Sequence, residues 1–282
     1  MSRIQNLLDK ADREGVIRRV RTVADAAPAL DIATLDAEPA FAARRPPYAA
    51  EPVMSAATGP AVEPEPAHPR VLRGARLHPR LVAATSSTGV AAEQYRALRT
   101  RILNADHRAG RVVMVTSPGR KEGRSLTVGN LGLTMAQESQ RRVCVVDADL
   151  RSPQLDRLFG VPEGPGLCDV LMGAARLEEA LLTLEEHQIT ILPAGRAAAH
   201  PAELLGTTGM RRAIETLRSQ FDWVVIDTPS AKPLADVGIL TPLVDSVVLV
   251  VRAGVTSTPA IHDAIATIDG SKLIGIVLNE AA

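Results

Sequence analysis

The sequence predicts a mostly parallel, doubly wound α/β sheet behind a disordered N-terminal linker. Three observations lead there. Apolar runs at 111–116, 143–147, 189–192, 223–227, 245–251 and 273–278 are separated by amphipathic stretches of helical period. Several runs, such as Val143–Val146, Trp223–Ile226 and Val247–Val251, lack polar alternation. That is the pattern of strands covered on both faces. Ahead of them, nine of the chain's 20 prolines fall between Pro28 and Pro69, with no strand or helix period. Such a segment buries too little apolar surface to offset its ordering entropy.

Taken in order, residues 1–18 read as a short amphipathic helix. Ser2 and Gln5 suggest a capping box, Ile4, Leu7, Leu8 and Ala11 share a face, and Gly15 is a stop signal. Residues 19–70 form the Ala/Pro-rich linker, and 71–282 the folded domain. An arginine-rich helix is expected over 90–105. The stretches near 124–140, 154–182, 201–219, 232–243 and 257–268 are the helices between strands. A hydrophobic content of 46% with only 2% aromatics implies a sizeable core built from Val, Leu, Ile and Ala.

Composition excludes several function classes. Lys plus Arg and Asp plus Glu each number 32, so no global field points to nucleic acid. Cys144 and Cys168 are too few for a disulfide framework and suit a reducing cytoplasm. No apolar run approaches the roughly 20 residues of a membrane span, and no signal peptide is visible. Membrane association is therefore expected through a partner.

Three segments carry the chemistry, each at the end of a predicted strand, where open α/β sheets bind ligands. The first, Ser117-Pro-Gly-Arg-Lys-Glu-Gly-Arg-Ser125, joins an apolar strand to a long helix. This is the position of a phosphate-binding loop, whose backbone N–H groups and helix N-terminus cradle phosphates. Ser125 is placed to ligate magnesium. The second, Val146-Asp147-Ala148-Asp149-Leu150-Arg151, puts two carboxylates where they can hold a metal or orient an attacking hydroxyl. The third, Val224-Val225-Ile226-Asp227-Thr228-Pro229, has the hydrophobic-run-then-Asp form of a Walker B strand.

With these motifs the chain resembles the bacterial tyrosine kinases (BY-kinases) of polysaccharide export, the CpsD/CapB-like P-loop proteins. Asp147-x-Asp149-x-Arg151-x-Pro153 is similar to their Walker A′ motif. Gly166-Leu-Cys-Asp-Val-Leu-Met-Gly173, Leu192-Pro-Ala-Gly195, Pro201-x-Glu203-Leu-Leu205, Phe221-Asp222, Asp227-Thr-Pro229 and Val277-Leu278-Asn279 also match. Glu93-Gln-Tyr-Arg-Ala-Leu-Arg99 resembles their Glu-x-x-Arg-x-x-Arg self-association helix.

The resemblance implies the P-loop fold shared with MinD and ParA, ATP and Mg²⁺ as cofactors, and a cytoplasmic location at the inner face of the membrane. Magnesium and phosphates would be organised by Ser125, Asp147, Asp149 and Asp227. Asp147 or Asp149 would take the tyrosine proton, with Arg124 at the place of the catalytic cation. Gly119, Lys121, Glu122, Gly123, Arg124, Ser125 and Leu126 would line the nucleotide, and Asn279 would contact the base. Glu93, Arg96 and Arg99 would form a homo-oligomer interface. The implied partner is a membrane chain-length regulator.

The loop departs from the family form Pro-Gly-Glu-Gly-Lys-Ser-Thr, reading Arg120-Lys-Glu-Gly-Arg-Ser-Leu126. Arg124 keeps a charge but replaces a compact ammonium with a planar fork, and Lys121 replaces a glycine. The only tyrosines are Tyr48 and Tyr95, so autophosphorylation of a C-terminal tyrosine cluster is not expected. Two readings follow: a tyrosine kinase, slowed or intact, regulating polysaccharide polymerisation and export; or a catalytically dead nucleotide-binding scaffold on the membrane regulator. A MinD- or ParA-type positioning ATPase fits less well, because Gly119 stands where those proteins carry an extra lysine.

Overall fold

Strand pairing organises the described residues into one eight-stranded sheet. The computed structural model describes residues 70–85, 89–104, 111–137, 141–232 and 235–280. The expected helix at 1–18, the linker up to residue 69 and Tyr48 lie outside the described residues. In chain order the elements begin β1 (Arg70–Leu72), α1 (Val82–Thr85), α2 (Val90–Asn104), β2 (Val112–Thr116), α3 (Arg124–Ala136) and β3 (Val143–Asp147). Then come α4 (Leu155–Phe159), α5 (Leu167–Leu171), α6 (Leu177–Ala180), β4 (Leu182–Leu184), β5 (Ile189–Leu192), α7 (Pro201–Leu205) and α8 (Thr208–Gln220). β6 (Trp223–Asp227), α9 (Asp236–Leu240), β7 (Ser246–Arg252), α10 (Thr258–Ala266) and β8 (Leu273–Asn279) complete it.

The sheet order is β1-β4-β5-β3-β6-β2-β7-β8. All neighbours are parallel except β4 and β5, which form an antiparallel pair around a 3₁₀ turn at Glu185–His187. β2 lies between β6 and β7, and Asp147 of β3 is in register with Asp227 of β6. The ends of β2, β3 and β6 therefore converge on one edge.

The core has two layers because alternate residues of each strand point to opposite faces. One layer joins Met114, Val146, Ile226 and Leu249 to α5, α8 and α10; the other joins Val115, Val145, Val225 and Val250 to Leu81, Ile102, Leu131 and Phe159. Each fully buried aliphatic chain contributes roughly 1.5–3 kcal/mol, which fixes the strand ends that carry the polar residues. Sequence and structure differ on smaller elements. The 154–182 stretch holds three short helices, the first two separated by Gly160 in the left-handed region with Pro162, Pro165 and Gly166, and the last two by Gly173, also left-handed. β1 and β4 are extra strands, and Arg70, expected as the last linker residue, opens β1. Among the described residues, no helix is long and apolar enough to cross a membrane.

Candidate functional site

The loop between β2 and α3 is built to leave a helix N-terminus open. Gly123 caps α3 with φ 94° and no side-chain cap, so the first-turn N–H groups are left for a ligand. A Cβ on Gly123 would sit 2.0 Å from Asn279 Nδ2. That amide donates to the Glu122 carbonyl at 3.0 Å, tying the end of β8 to the loop. The predicted base contact is thus occupied with closing the loop. Lys121 stands at φ 60°, the left-handed backbone expected of the glycine it replaces.

Glu122 turns inward. Its Oε1 accepts from Thr256 Oγ1 at 2.9 Å, while Oε2 is buried without a hydrogen-bond partner. Burial raises its carboxyl above the ordinary range, against the opposing effect of the Thr256 and Gly119 contacts. Thr256 lies beyond β7, and no sequence motif marks it.

Arg124 folds back into the loop instead of projecting from it. Nη1 donates to Ser117 Oγ at 2.6 Å and to the Gly119 carbonyl at 2.9 Å, and Nη2 reaches Asp149 Oδ2 at 3.3 Å. Only 10% of its side chain is exposed. A planar fork can span three acceptors at once, which a point-like ammonium does differently. The guanidinium therefore bridges the start of the loop to the β3 carboxylate.

The two aspartates after β3 have separate environments. Asp147 Oδ2 accepts from Gln154 N and Leu155 N, both at 3.0 Å, and Oδ1 from Asp149 N at 3.1 Å. Its carboxylate is thus occupied by backbone and anchors the entry to α4. Asp149 accepts from Ser152 N at 3.1 Å and from Arg124, and it alone of the pair lines the adjoining cleft. Asp227 is fully buried, and neither carboxylate oxygen has a partner in strict hydrogen-bond geometry. Burial pushes its carboxyl up to about 7, although the nearby Ser125 hydroxyl, Arg124 and the Thr228 N–H favour the charged form. Asp147 is raised well above the carboxylate range by burial and by Asp227.

An orphaned buried carboxylate beside a serine hydroxyl at a helix N-terminus fits a magnesium ion that also holds phosphate. Magnesium keeps one or two protein oxygens and takes the rest from water and phosphate. Among the described residues no cluster of three or more His, Cys, Asp or Glu could make an all-protein cage. The cleft beside the loop has a volume of about 840 Å³ and includes Lys121, Gly123, Ser125, Leu126 and Asp149 in its wall.

The remaining predicted residues lie elsewhere. Glu93 and Arg96 pair with each other on α2, and Arg99 Nη1 donates to Thr134 O of α3 at 2.9 Å. The expected interface helix thus packs on the helix that begins at the loop. Arg151 pairs through Nε and Nη2 with buried Asp236 at 2.8 and 3.2 Å. The Gly166 and Gly195 segments cross so closely that a Cβ on Gly166 would lie 2.3 Å from Gly195 N. These two motif segments are a backbone junction, closed by Leu167 N to Pro193 O at 2.7 Å.

Comparison with known proteins places these features in a family. The model of the family Cellulose biosynthesis protein BcsQ matches residues 118–274, more than half of the chain. The chain is 34% identical to tyrosine-protein kinase YwqD of Bacillus subtilis over 211 residues, 73% of this chain and 88% of that protein. It is 31% identical to the succinoglycan biosynthesis transport protein ExoP of Rhizobium meliloti, over 60% of this chain but 22% of ExoP. Among solved structures, the kinase domain of Escherichia coli tyrosine kinase ETK superposes with a TM-score of 0.68 at 26% identity, covering 71% of this chain and 79% of that one. A MinD septum-site protein of Pyrococcus horikoshii, solved with Mg-ADP, shares the fold alone (TM-score 0.50, 22% identity, 60% of this chain and 70% of that one). The chain belongs to the bacterial tyrosine-kinase (BY-kinase) family of P-loop NTPases.

Proposed function

We propose that this chain binds Mg-ATP at the β2–α3 loop and transfers phosphate to tyrosine, slowly, in the control of polysaccharide polymerisation and export. The observation that carries the reading is the convergence of the uncapped α3 N-terminus, Ser125, Asp149 and the unpaired carboxylate of Asp227 at one sheet edge. The YwqD and ETK names support tyrosine phosphorylation, and ExoP and the BcsQ family support the polysaccharide context.

In this reading the first-turn N–H groups of α3 bind the phosphates, and Ser125 and Asp227 hold the metal. Magnesium, when bound, neutralises charge on the phosphates. Asp149, open to the cleft, orients the tyrosine hydroxyl and accepts its proton. Asp147 keeps the segment 149–155 in place through its three backbone contacts. Asn279 steadies the loop next to the base. Glu93, Arg96 and Arg99 present α2 to another copy, and a membrane chain-length regulator recruits the assembly.

Arg124 favours a second reading, a nucleotide-binding scaffold without turnover. Its guanidinium is engaged by Ser117, Gly119 and Asp149 rather than left for a transferring phosphate. A loss on the order of 3–5 kcal/mol of transition-state stabilisation would slow transfer by roughly 10² to 10⁴-fold and leave binding largely intact. Calorimetry with Mg-ATP, paired with phosphotyrosine detection and an Asp227→Ala control, separates the two. Binding with slow, Asp227-dependent phosphotyrosine supports the kinase; binding with none supports the scaffold.

A further inference from the structure

The wall of the cleft carries more positive charge than a nucleotide loop accounts for. Its basic residues are Arg80, Arg120, Lys121, Arg124, Arg151 and Arg157, against the acidic residues Glu122 and Asp149. Arg124 and Arg151 are held by Asp149 and Asp236, and Glu122 faces Thr256. Arg80, Arg120, Lys121 and Arg157 are exposed, and none has an ion-pair partner among the described residues.

Two of these cations lie outside the phosphate loop, on backbone that is tied into the fold. Arg80 precedes α1, and its carbonyl accepts from Asn130 Nδ2 of α3 at 3.1 Å. Arg157 is on α4, whose Leu158 carbonyl accepts from His78 N at 2.8 Å. The cleft wall draws on the segment before α1, the loop, the β3–α4 segment and Pro229–Ser230, and on nothing from β7 or β8. Asn279, the proposed base contact, is at the β8 end. Arg80 and Arg157 thus share one cleft wall with Asp149, the carboxylate proposed to meet the acceptor hydroxyl.

We propose that the tyrosine-bearing segment received by this cleft is acidic, its carboxylates meeting Arg80 and Arg157 while the tyrosine reaches Asp149. This specificity rests on the kinase reading of the site. Complementary charge both steers encounter and excludes wrong partners, and unpaired arginines suit carboxylates by their fork geometry. The chain's own Tyr48 is a poor match, because Arg44 and Arg45 precede it.

The test is fluorescence anisotropy of labelled tyrosine peptides on the full chain with Mg-ADP, one peptide flanked by glutamates and one by lysines. The glutamate peptide should bind about tenfold tighter or better, with the advantage shrinking as salt rises. An Arg80→Glu/Arg157→Glu variant should lose or invert the order while holding Mg-ADP as before. Equal affinity for the two peptides overturns the inference. So does a variant that loses Mg-ADP yet keeps the peptide preference, or one that loses only capture of phosphatidylserine vesicles. Phosphotyrosine is measured in parallel with ATP. An acidic preference without phosphotyrosine supports this inference and counts against the kinase reading.

Discussion

Asp147 and Asp227 end neighbouring strands in register, both fully buried, yet their carboxylates are treated differently. Three backbone N–H groups occupy Asp147, while no atom meets Asp227 in strict hydrogen-bond geometry. One aspartate is tied into the backbone, and the other is left without a hydrogen-bond partner.

That difference gives a pH dependence. Folding raises the Asp227 carboxyl to about 7, from roughly 3.9 in an unfolded chain, so the folded state binds the proton more tightly. Its contribution to stability is fully present below the unfolded value and is lost as pH rises through about 7. The metal-free chain should melt at a lower temperature near pH 8 than near about pH 5. Asp227→Asn should flatten that slope, and magnesium with nucleotide should raise Tm most at the higher pH. A wild-type Tm independent of pH over this window contradicts the assignment.

The two β3 carboxylates should separate by mutation. Asp147→Ala leaves the N–H groups of Asp149, Gln154 and Leu155 without their acceptor and should cost about 2–4 kcal/mol in urea denaturation. Asp149→Ala, which frees Ser152 N and leaves Arg124 with Ser117 and Gly119, should cost less than Asp147→Ala while removing any phosphotyrosine signal. Equal destabilisation by the two changes rules out this division of roles.

Loop geometry makes Gly123 intolerant. Its φ of 94° leaves alanine strained, and Asn279 Nδ2 lies 2.0 Å from the place the added methyl carbon would take. Gly123→Ala should weaken Mg-ATP binding at least about tenfold by calorimetry. Gly123→Ala combined with Asn279→Ala removes the clash but not the backbone strain, and should recover only part of the affinity.

Lys121 carries the opposite signature, a side chain at φ 60°. The left-handed region costs roughly 1–2 kcal/mol for such a residue, offset by roughly 0.5–1 kcal/mol of extra chain entropy for glycine. Lys121→Gly should hold or raise stability by up to about 1 kcal/mol, and Lys121→Val should lower it by more than that. Thermal melts of the two variants check the ordering.

The parts of the fold legible in sequence are those fixed by local pattern. Val143–Asp147 and Trp223–Asp227 are apolar without alternation because both faces of the sheet are covered, and the strands occupy those spans. β4 was hidden because Leu177–Leu184 also has helical spacing, and only pairing with β5 decides its last three residues. β1 was hidden because three largely exposed residues carry no period. At the site, loop and strand-end positions were visible as motifs. The Thr256–Glu122 contact, the backbone saturation of Asp147 and the placement of Arg80 and Arg157 depend on distant segments meeting, which no spacing encodes.

In the proposed kinase reading, the cation at position 124 is the one catalytic part of the site that departs from a working P-loop. The most direct test is phosphotyrosine formation by wild type and Arg124→Lys, with Mg-ATP affinity measured on the same preparations. Affinities should be similar, and transfer at least about tenfold faster in the lysine variant. Background transfer by both proteins, despite bound Mg-ATP and an accepted peptide, would contradict that reading.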